Sequence, residues 1–307
     1  MAKITIVGAG AVGTSAAIWS FVKRLADIVL IDVVEGLARG KALDLAQASP
    51  IWGYQGKIVG TEDWAASEGS QVVIITAGRP RKPGMSREDL LKVNLEIVKS
   101  CVENTIKYAP EACYIVITNP IDAMVYTAYK VSGLPKERVI GMAGVLDSAR
   151  YRYFLAQALG VAPADVQALV MGIHGDHMLP LTRLANVNGV PVKELLSSQE
   201  LDQIVDRTRH GGAEIVGHLK TGSAFITPGL SAIEMAEAIV CDQKRLLPCA
   251  AYLEGEFGLE GCFLGVPVIL GRNGVERIVE FPLSEEEKEA LRASFEAVKR
   301  QIEATGL

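Results

Sequence analysis

The sequence opens with a short apolar run that leads directly into a glycine-rich turn. Ile4–Val7 is followed by three glycines in the spacing Gly8-x-Gly10-x-x-Gly13, and a helical pattern begins at once. A second apolar run, Ile28–Ile31, follows that helical pattern. A strand, a tight glycine turn, a helix and a second strand are the parts of a β-α-β unit. This order predicts a parallel sheet whose strands are connected by helices.

The same glycines suit the binding of a dinucleotide. Gly8 permits the tight turn, Gly10 lets the main chain approach a pyrophosphate, and Gly13 lets the helix lie close to the strand. Asp32 lies 19 residues beyond Gly13, where a carboxylate can accept hydrogen bonds from both ribose hydroxyls and would repel a 2′-phosphate. The pattern therefore predicts NAD rather than NADP. An ordinary strand-turn-helix with a surface Asp remains the alternative.

Apolar runs and helical patterns continue to alternate through the first half of the chain. Further predicted strands are Val72–Thr76, Tyr114–Thr118 and Val139–Gly141, and predicted helices cover 11–25, 36–48, 88–108 and 121–132. In the third helix the apolar stripe consists of Leu91, Leu95, Val98, Val102 and Ile106. The strands are apolar nearly throughout, as is typical of strands buried on both faces. We predict an α/β fold in which residues 1–144 form a doubly wound parallel sheet of the Rossmann type.

The second half of the chain carries different signals. Asn188-Gly189 and Asn273-Gly274 each lie between apolar runs and predict two hairpins with type I′ turns. Ser284-x-x-Glu287 is a capping box, so a last helix should run from there to about Thr305. We predict that residues 145–307 form a mixed α+β domain that binds substrate. No Pro/Ser/Gly-rich linker separates the halves, so they should pack as one body with a cleft between them.

Composition excludes several classes of function. The chain has 31 Lys and Arg against 36 Asp and Glu, a net charge of −5, which argues against nucleic acid or an anionic membrane as partner. Residues 4–22 lack charge, but their glycines and hydroxyl residues favour two joined elements over a membrane span. The five cysteines show no metal-binding spacing and are odd in number, which predicts a reducing, cytoplasmic setting and no metal.

A cluster of positive charge follows the predicted strand at 72–76. Arg79–Arg87 contains four cations and no acid, together with two prolines and a glycine. Such a run is often a solvated loop. A loop that leaves the carboxyl end of a parallel strand also lies over the nucleotide site, where it could carry arginines to an anionic substrate.

Three further residues have the chemistry of an acid/base site. Asp147 and Arg150 precede a predicted helix, and His174 lies between glycines at the end of the apolar run 168–171. Histidine at such a position suits proton transfer near neutral pH. His177 suggests a metal pair, but Gly175 disfavours a helix there and no third ligand is evident.

Taken together, these motifs resemble the lactate/malate dehydrogenase family over essentially the whole chain, and within it the malate dehydrogenases of the lactate-dehydrogenase-like branch. The matching segments are 8–13, Asp32, 40–45, 76–87, 118–120, 145–150, 174–176 and 220–223. Each motif alone is weak, whereas their common order is specific. The resemblance implies an NAD-dependent oxidoreductase that transfers hydride between a 2-hydroxy acid and the nicotinamide.

The resemblance also implies roles for individual residues. His174 would exchange a proton with the substrate oxygen, and Asp147 would raise its pKa and fix its tautomer. Arg150 would bind the carboxylate beside the reacting carbon, and Arg87 would polarise the carbonyl. Asn119 would hydrogen-bond the substrate oxygen, and Ser223 would line the pocket. The implied cofactor-binding residues are Gly8, Gly10, Ala11, Val12, Gly13, Asp32, Thr76, Ala77, Gly78, Asn94, Thr118 and Asn119.

The choice of substrate depends on Arg81. The family places an uncharged residue there when the substrate is pyruvate or lactate, and Arg when a second carboxylate must be bound. Arg81, Arg87, Arg150 and protonated His174 against Asp147 leave a surplus of three positive charges, which suits a dianion. We therefore expect malate and oxaloacetate. An L-lactate or other 2-hydroxyacid dehydrogenase is the nearer alternative, and a non-catalytic NAD-binding sensor is the remote one.

The predicted helix Leu37–Ala48 has more small apolar surface than one sheet face requires. In the family, the corresponding helix packs across a two-fold axis. The resemblance thus implies a homodimer or a homotetramer, with the alternative that this helix only covers its own sheet.

Overall fold

The computed structural model describes residues 1–80 and 87–307, with the main chain alone described at Arg87. The helices are α1 Ala11–Val22, α2 Leu37–Gln47, α3 Ser49–Trp52, α4 Arg87–Thr105, α5 Ile121–Ser132, α6 Gly144–Leu159, α7 Ser198–Leu219, α8 Ile226–Val240 and α9 Glu285–Glu303. The strands are β1 Lys3–Val7, β2 Asp27–Ile31, β3 Ile58–Thr61, β4 Val72–Ile75, β5 Cys113–Val116, β6 Val139–Gly141, β7 Val166–Gln167, β8 Val170–Met171, β9 Leu179–Pro180, β10 Asn186–Val187, β11 Val190–Pro191, β12 Arg245–Glu254, β13 Glu260–Gly271 and β14 Gly274–Ile278.

Six parallel strands form the predicted doubly wound sheet, in the order β3-β2-β1-β4-β5-β6. β1 pairs in parallel with both β2 and β4, so the strand order reverses between β1 and β4. Helices cover both faces. Alternate residues of β4 therefore enter two different apolar clusters: Ile74 belongs to one, while Val73 and Ile75 belong to the other. In open α/β sheets the point of reversal, at the carboxyl ends of the strands, is where ligands bind.

The second half of the chain extends this sheet. β12 pairs with β6 through Ala250 and Gly141, and β13 and β14 continue the sheet in antiparallel fashion. A nine-stranded sheet results, and its parallel and antiparallel parts share one apolar core. The antiparallel strands of the second half were predicted from the sequence. The sequence did not predict that these strands join the first sheet, because β12 and β6 are paired through a single pair of residues.

One hairpin has the predicted turn and the other does not. At Asn188-Gly189 both residues have positive φ, 47° and 92°, as a type I′ turn requires. At the second hairpin the type I′ prediction is wrong, because Gly271 pairs with Gly274 and the turn residues are Arg272-Asn273. Only Gly274 of this turn has positive φ, 92°, and the register shifts beside it. These features indicate a bulged turn, with glycine at the left-handed position.

The helices agree with most of the sequence predictions. α5 has the predicted bounds, and α9 begins after Ser284 with both capping-box hydrogen bonds present. The apolar stripe of α4 packs against the sheet as predicted. α1 is shorter than predicted, because the chain leaves the helix at Lys23 and Arg24 takes a positive φ of 53°. The two halves are joined by α8, which lies so close to α1 that a Cβ at Gly229 would meet Ser15 at 2.6 Å.

Candidate active site

The glycine turn after β1 has the geometry that the sequence predicted. Gly8 has a φ of 104°, and a side chain there would collide with the Ala77 main chain at 2.7 Å. A Cβ at Gly13 would overlap the carbonyl oxygen of Gly8, so the helix can approach the turn only with glycine. A Cβ at Gly10 would meet no described atom within 4 Å. Packing therefore does not require glycine at position 10, and the absence of a side chain leaves the main chain there open to a ligand.

Asp32 faces this turn from the end of β2. Its Oδ2 accepts a hydrogen bond from the Ala9 amide at 2.6 Å, and its Oδ1 accepts one from the Val34 amide at 2.9 Å. The two bonds fix the carboxylate beside the turn while both oxygens keep a second lone pair. The first-turn amides of α1, at Ala11, Val12 and Gly13, point from a helix N-terminus, which attracts phosphate. These groups fit a dinucleotide with free ribose hydroxyls.

A hydrogen-bond network ties together the loops after β4 and β5. The Thr76 hydroxyl lies 3.0 Å from the carbonyl oxygens of Val7 and Gly8, and the Thr118 hydroxyl donates to the Ala77 carbonyl at 2.7 Å. A Cβ at Gly78 would meet the Thr118 methyl group at 2.5 Å. These loops therefore share one rim of the site at the carboxyl edge of the sheet.

Buried Asn94 on α4 completes the network. Its Oδ1 accepts from the Arg79 amide at 2.7 Å, and its Nδ2 donates to the carbonyl oxygens of Arg79 and Asn119 at 3.2 and 2.7 Å. Both amide protons are used within the protein. Asn94 thus holds the first residues of the loop after β4 and the main chain of Asn119, whose own side chain is exposed at the rim.

His174, Asp147 and Arg150 form a compact cluster. Asp147 Oδ2 lies 2.8 Å from His174 Nδ1, and Asp147 Oδ1 lies 3.4 Å from the Arg150 guanidinium. The prediction that Asp147 and Arg150 precede a helix is wrong by a few residues. Both lie within the first turns of α6. The helix puts them three positions apart on one face, so that one carboxylate contacts both cationic groups. His174 approaches from the segment after β8.

Burial and charge set the protonation of this cluster. Burial lowers the pKa of His174, but the charge and hydrogen bond of Asp147 outweigh it, and the pKa is raised overall. Burial likewise lowers the pKa of Arg150, against the opposing charge of Asp147. Because Nδ1 is bonded to Asp147, Nε2 is the ring nitrogen left for proton exchange with a substrate. The cluster can therefore act as a proton donor and acceptor beside a fixed guanidinium.

The remaining predicted substrate residues are less fully defined. Ser223 is exposed in the connection between α7 and α8, and its contact with substrate stays a prediction. Arg81 lies outside the described residues, as does the side chain of Arg87 at the start of α4. Within residues 1–80 and 87–307, no group of three or more His, Cys, Asp or Glu side chains is placed to hold a metal ion.

Comparison with known proteins identifies the family of this chain. The model of the lactate/malate dehydrogenase NAD binding domain matches residues 2–141, and that of the lactate/malate dehydrogenase alpha/beta C-terminal domain matches residues 144–306. The chain belongs to the lactate/malate dehydrogenase family. It is 52% identical over 302 residues to a malate dehydrogenase of Roseiflexus sp. (strain RS-1), with 98% of each chain covered.

Similar solved structures include both malate dehydrogenases and lactate dehydrogenases. The apo malate dehydrogenase of Picrophilus torridus has a TM-score of 0.97 at 47% identity, covering 99% of this chain and 97% of that one. A lactate dehydrogenase of Cryptosporidium parvum, in complex with lactic acid and nicotinamide adenine dinucleotide, has a TM-score of 0.96 at 42% identity, covering 99% and 98%. The fold is thus that of the family, and its first part is an NAD-binding domain of the Rossmann type.

The structure also reveals residues of this family member that sequence reasoning missed. Lys41 on α2 donates to the Ala9 carbonyl at 2.6 Å and to the Thr14 hydroxyl at 2.9 Å, and so supports the glycine turn. Gly211 on α7 leaves room for Arg150, because a Cβ there would meet the Arg150 side chain at 3.3 Å. The carboxylate of Asp122 accepts a hydrogen bond from the His174 amide at 3.2 Å. The only available signal for Asp122 was an acid within the otherwise apolar run 121–125.

No described helix is both long enough and apolar enough to cross a membrane.

Proposed function

We propose that this chain catalyses the reversible NAD-dependent oxidation of L-malate to oxaloacetate. The observation that carries the proposal is the buried cluster in which Asp147 contacts both His174 and Arg150, at 2.8 and 3.4 Å. An acid/base group with a raised pKa lies beside a guanidinium suited to a carboxylate. That pairing fits a substrate whose reacting C–O group adjoins a carboxylate.

The chain's residues perform the proton chemistry and the binding. In the reducing direction, protonated His174 would give its Nε2 proton to the keto oxygen, and Asp147 would stabilise the imidazolium and hold its tautomer. Arg150 would bind the carboxylate next to the reacting carbon, and Asn119 would hydrogen-bond the oxygen that changes. In the oxidising direction, neutral His174 would take the hydroxyl proton and later release it to solvent.

Bound NAD supplies the accompanying hydride chemistry. The residues that would hold it are the glycine turn and Asp32, together with the rim formed by Thr76, Ala77, Gly78, Thr118 and Asn119, while Asn94 fixes that rim. Asp32 would accept the ribose hydroxyls and would repel a 2′-phosphate, so NADP should bind poorly.

Selection of malate over lactate is assigned to Arg81. A guanidinium at this position would pair with the second carboxylate of a four-carbon diacid. With pyruvate it would lack a partner at a cost of roughly 3–5 kcal/mol, or about 10²–10⁴ in discrimination. The names of the relatives support malate, while the lactate-bound Cryptosporidium parvum structure shows that this fold also carries the rival activity.

The proposal extends to the setting and assembly of the enzyme. Five cysteines are free among the described residues, and four of them are buried, which favours a reducing, cytoplasmic setting. We also propose a homodimer or homotetramer with α2 at its interface. The break between the two family models, at residues 141 and 144, supports a division into domains 1–144 and 145–307.

The decisive experiment is steady-state oxidation of NADH and of NADPH with oxaloacetate and with pyruvate. We expect turnover with NADH and oxaloacetate, and a kcat/KM for pyruvate about 10²–10⁴ lower. Arg81→Gln should bring the two kcat/KM values closer by at least tenfold. Lys82→Gln, which removes a neighbouring cation from the same segment, is the matched control and should leave the ratio unchanged.

Two outcomes would contradict this assignment. Equal rates with pyruvate and oxaloacetate would favour a lactate or general 2-hydroxyacid dehydrogenase. Failure to oxidise NADH with either acid, while NADH still binds, would leave an NAD-binding sensor. His174→Asn should bind NADH and lose turnover, and a His174→Asn enzyme that retains turnover would refute the proton-transfer role.

A further inference from the structure

Three consecutive main-chain amides lead up to the imidazole of His174, and each is bound by a different element of the fold. The Gly172 amide donates to the Gly265 carbonyl on β13 at 2.8 Å. The Ile173 amide donates to the Ser294 hydroxyl on α9 at 2.6 Å. The His174 amide donates to the Asp122 carboxylate on α5 at 3.2 Å. The main chain that carries the imidazole is therefore held by three different elements.

Asp122 differs from the other two acceptors in charge. A carbonyl and a hydroxyl satisfy the amides of Gly172 and Ile173, so a neutral acceptor is sufficient to anchor this segment. Asp122 is nevertheless an ionisable carboxyl group with only 1% of its surface exposed. Its Oδ1 is buried and lacks a hydrogen-bond partner among the described residues. Burying an ionisable group costs free energy, so the anchoring of the His174 amide does not by itself explain an aspartate at this position.

The charged surroundings of Asp122 belong to the proposed acid/base site. His174 and Asp147 both act on it electrostatically, and His174 in turn is influenced by Arg150. The thiol of Cys262 on β13 is affected by the charge of Asp122. It is also affected by the charges of Lys299 and Glu296 on α9. Burial raises the pKa of Asp122 to about 6, while the positive charge of His174 opposes this rise. At neutral pH the carboxyl group is therefore mostly ionised.

The charge balance of the cluster then depends on His174. With imidazolium present, His174 and Arg150 provide two positive charges, and Asp147 and Asp122 provide two negative ones. Without Asp122, a protonated His174 would leave the buried cluster with a net positive charge. A nearby carboxylate favours the charged form of a histidine.

We propose that Asp122 is a positioning residue for His174, which anchors the histidine main chain and provides a second negative charge that keeps the imidazole protonated for keto-acid reduction. This inference rests on the proposed function, since it assigns His174 the role of proton donor. It adds a second carboxylate, on a different helix, to the one that Asp147 supplies.

The test is the titration of His174 in the full chain, measured by NMR with labelled histidine and assigned with His174→Asn. Asp122→Asn removes the charge and keeps an oxygen that can accept from the His174 amide. We expect the His174 titration midpoint to fall by about one pH unit. The alkaline limb of kcat/KM for the keto acid should move to lower pH by the same amount.

Three further variants separate charge from anchoring. Asp122→Ser removes the charge with a smaller polar group and should give the same shift, which covers the case that Asp122→Asn folds poorly. Ser294→Ala removes an anchor without changing charge, so it should lower kcat without moving the midpoint. Asp202→Asn removes a negative charge from the exposed face of α7 and should change neither quantity.

An unchanged His174 midpoint in Asp122→Asn or Asp122→Ser would overturn the proposal. The NMR titration needs no turnover, so it remains informative if neither oxaloacetate nor pyruvate is reduced. Absence of turnover in the unmodified chain contradicts the proposed function alone, whereas an unmoved midpoint contradicts the role of Asp122 alone.

Discussion

Burial of the Asp122 carboxyl group lowers the stability of the folded chain. Burial raises its pKa from 3.8 to about 6, and the unpartnered Oδ1 adds an unsatisfied acceptor. A carboxyl group whose pKa is raised on folding contributes most to stability below pH 3.8, and that contribution is lost as the pH rises through about 6. The stability of the folded chain is thereby reduced at the pH where the proposed enzyme would work.

We therefore predict that Asp122→Asn stabilises the chain at high pH. The rise in pKa corresponds to about 3 kcal/mol at pH 8, which a neutral amide would avoid, and to little at pH 4. Chemical denaturation of both proteins at pH 4, 6 and 8 measures the difference. The gain should grow with pH, and a gain that stays constant across the three values would show that folding does not raise the pKa of the Asp122 carboxyl group.

Residues of the site differed in how well the sequence alone could locate them. Gly8, Gly13 and Asp32 follow from the demands of a strand-turn-helix, and the structure gives each the expected geometry. Asp122 was not predicted, because an acid in the first turn of a helix is also favoured by the helix dipole. Its contact with the His174 amide joins positions 52 residues apart, and such a pairing depends on tertiary packing.

At the scale of elements, the strands with buried neighbours on both sides were the predictable ones. β4 is buried at every residue, and its apolar run predicts a central parallel strand. β3 was missed because it lies at the edge of the sheet, is only partly buried and contains Gly60. That glycine is needed where α2 crosses the strand, since a Cβ there would overlap the Ala38 carbonyl group. Edge strands lack the continuous apolar pattern from which central strands are predicted.

The approach of α7 to α6 offers a test of the arginine site. Gly211 lies against Arg150, and a Cβ there would require Arg150 to shift by a few tenths of an ångström. We predict that Gly211→Ala raises KM for oxaloacetate about two- to tenfold, as expected for strain of order 0.5–1.5 kcal/mol in the Arg150 side chain. The effect on kcat should be smaller, because His174 and Asp147, the proposed proton-transfer pair, are not displaced directly.

Gly217 provides the matched control for this change. It lies on the same helix, and a Cβ there would meet no described atom within 4 Å. Gly217→Ala should add about 0.5–1 kcal/mol of stability through helix propensity and leave KM unchanged. If Gly211→Ala and Gly217→Ala have the same KM, packing of α7 does not position Arg150.

At the scale of the whole molecule, the two halves act together because they share a sheet, a core and a helix contact. The first half contributes the dinucleotide turn and Asp122, whereas the second contributes the cluster of His174, Asp147 and Arg150. Because Asp122 accepts a hydrogen bond from the His174 amide, the connection between the halves includes the residue that we propose to transfer the proton. The proposed acid/base site is therefore anchored to the same domain that would hold NAD.

The outer surface of α1, α2 and α3 bears on the proposed assembly. Ala38 and Ala42 of α2 are buried within their own chain, so part of the apolar surface predicted for an interface covers the sheet instead. Ile18, Leu43 and Ile51 remain exposed at 43%, 61% and 90% on the three helices. A small cavity of about 90 Å³ lies between α1 and α2, and Ile18 and Leu45 are among its lining residues. Exposed apolar side chains beside such a groove favour association.

We predict that the protein has a mass in solution of at least twice the 32.9 kDa of one chain, and that Ile18→Glu dissociates this oligomer. A carboxylate without a partner in an apolar interface should weaken association by about 100-fold or more. Val190→Glu on β11, a residue 48% exposed, is the matched control and should leave the mass unchanged. Analytical ultracentrifugation over a range of concentrations measures both. A monomeric unmodified chain would contradict assembly, while an Ile18→Glu protein of undiminished mass would place the interface away from α1 and α2.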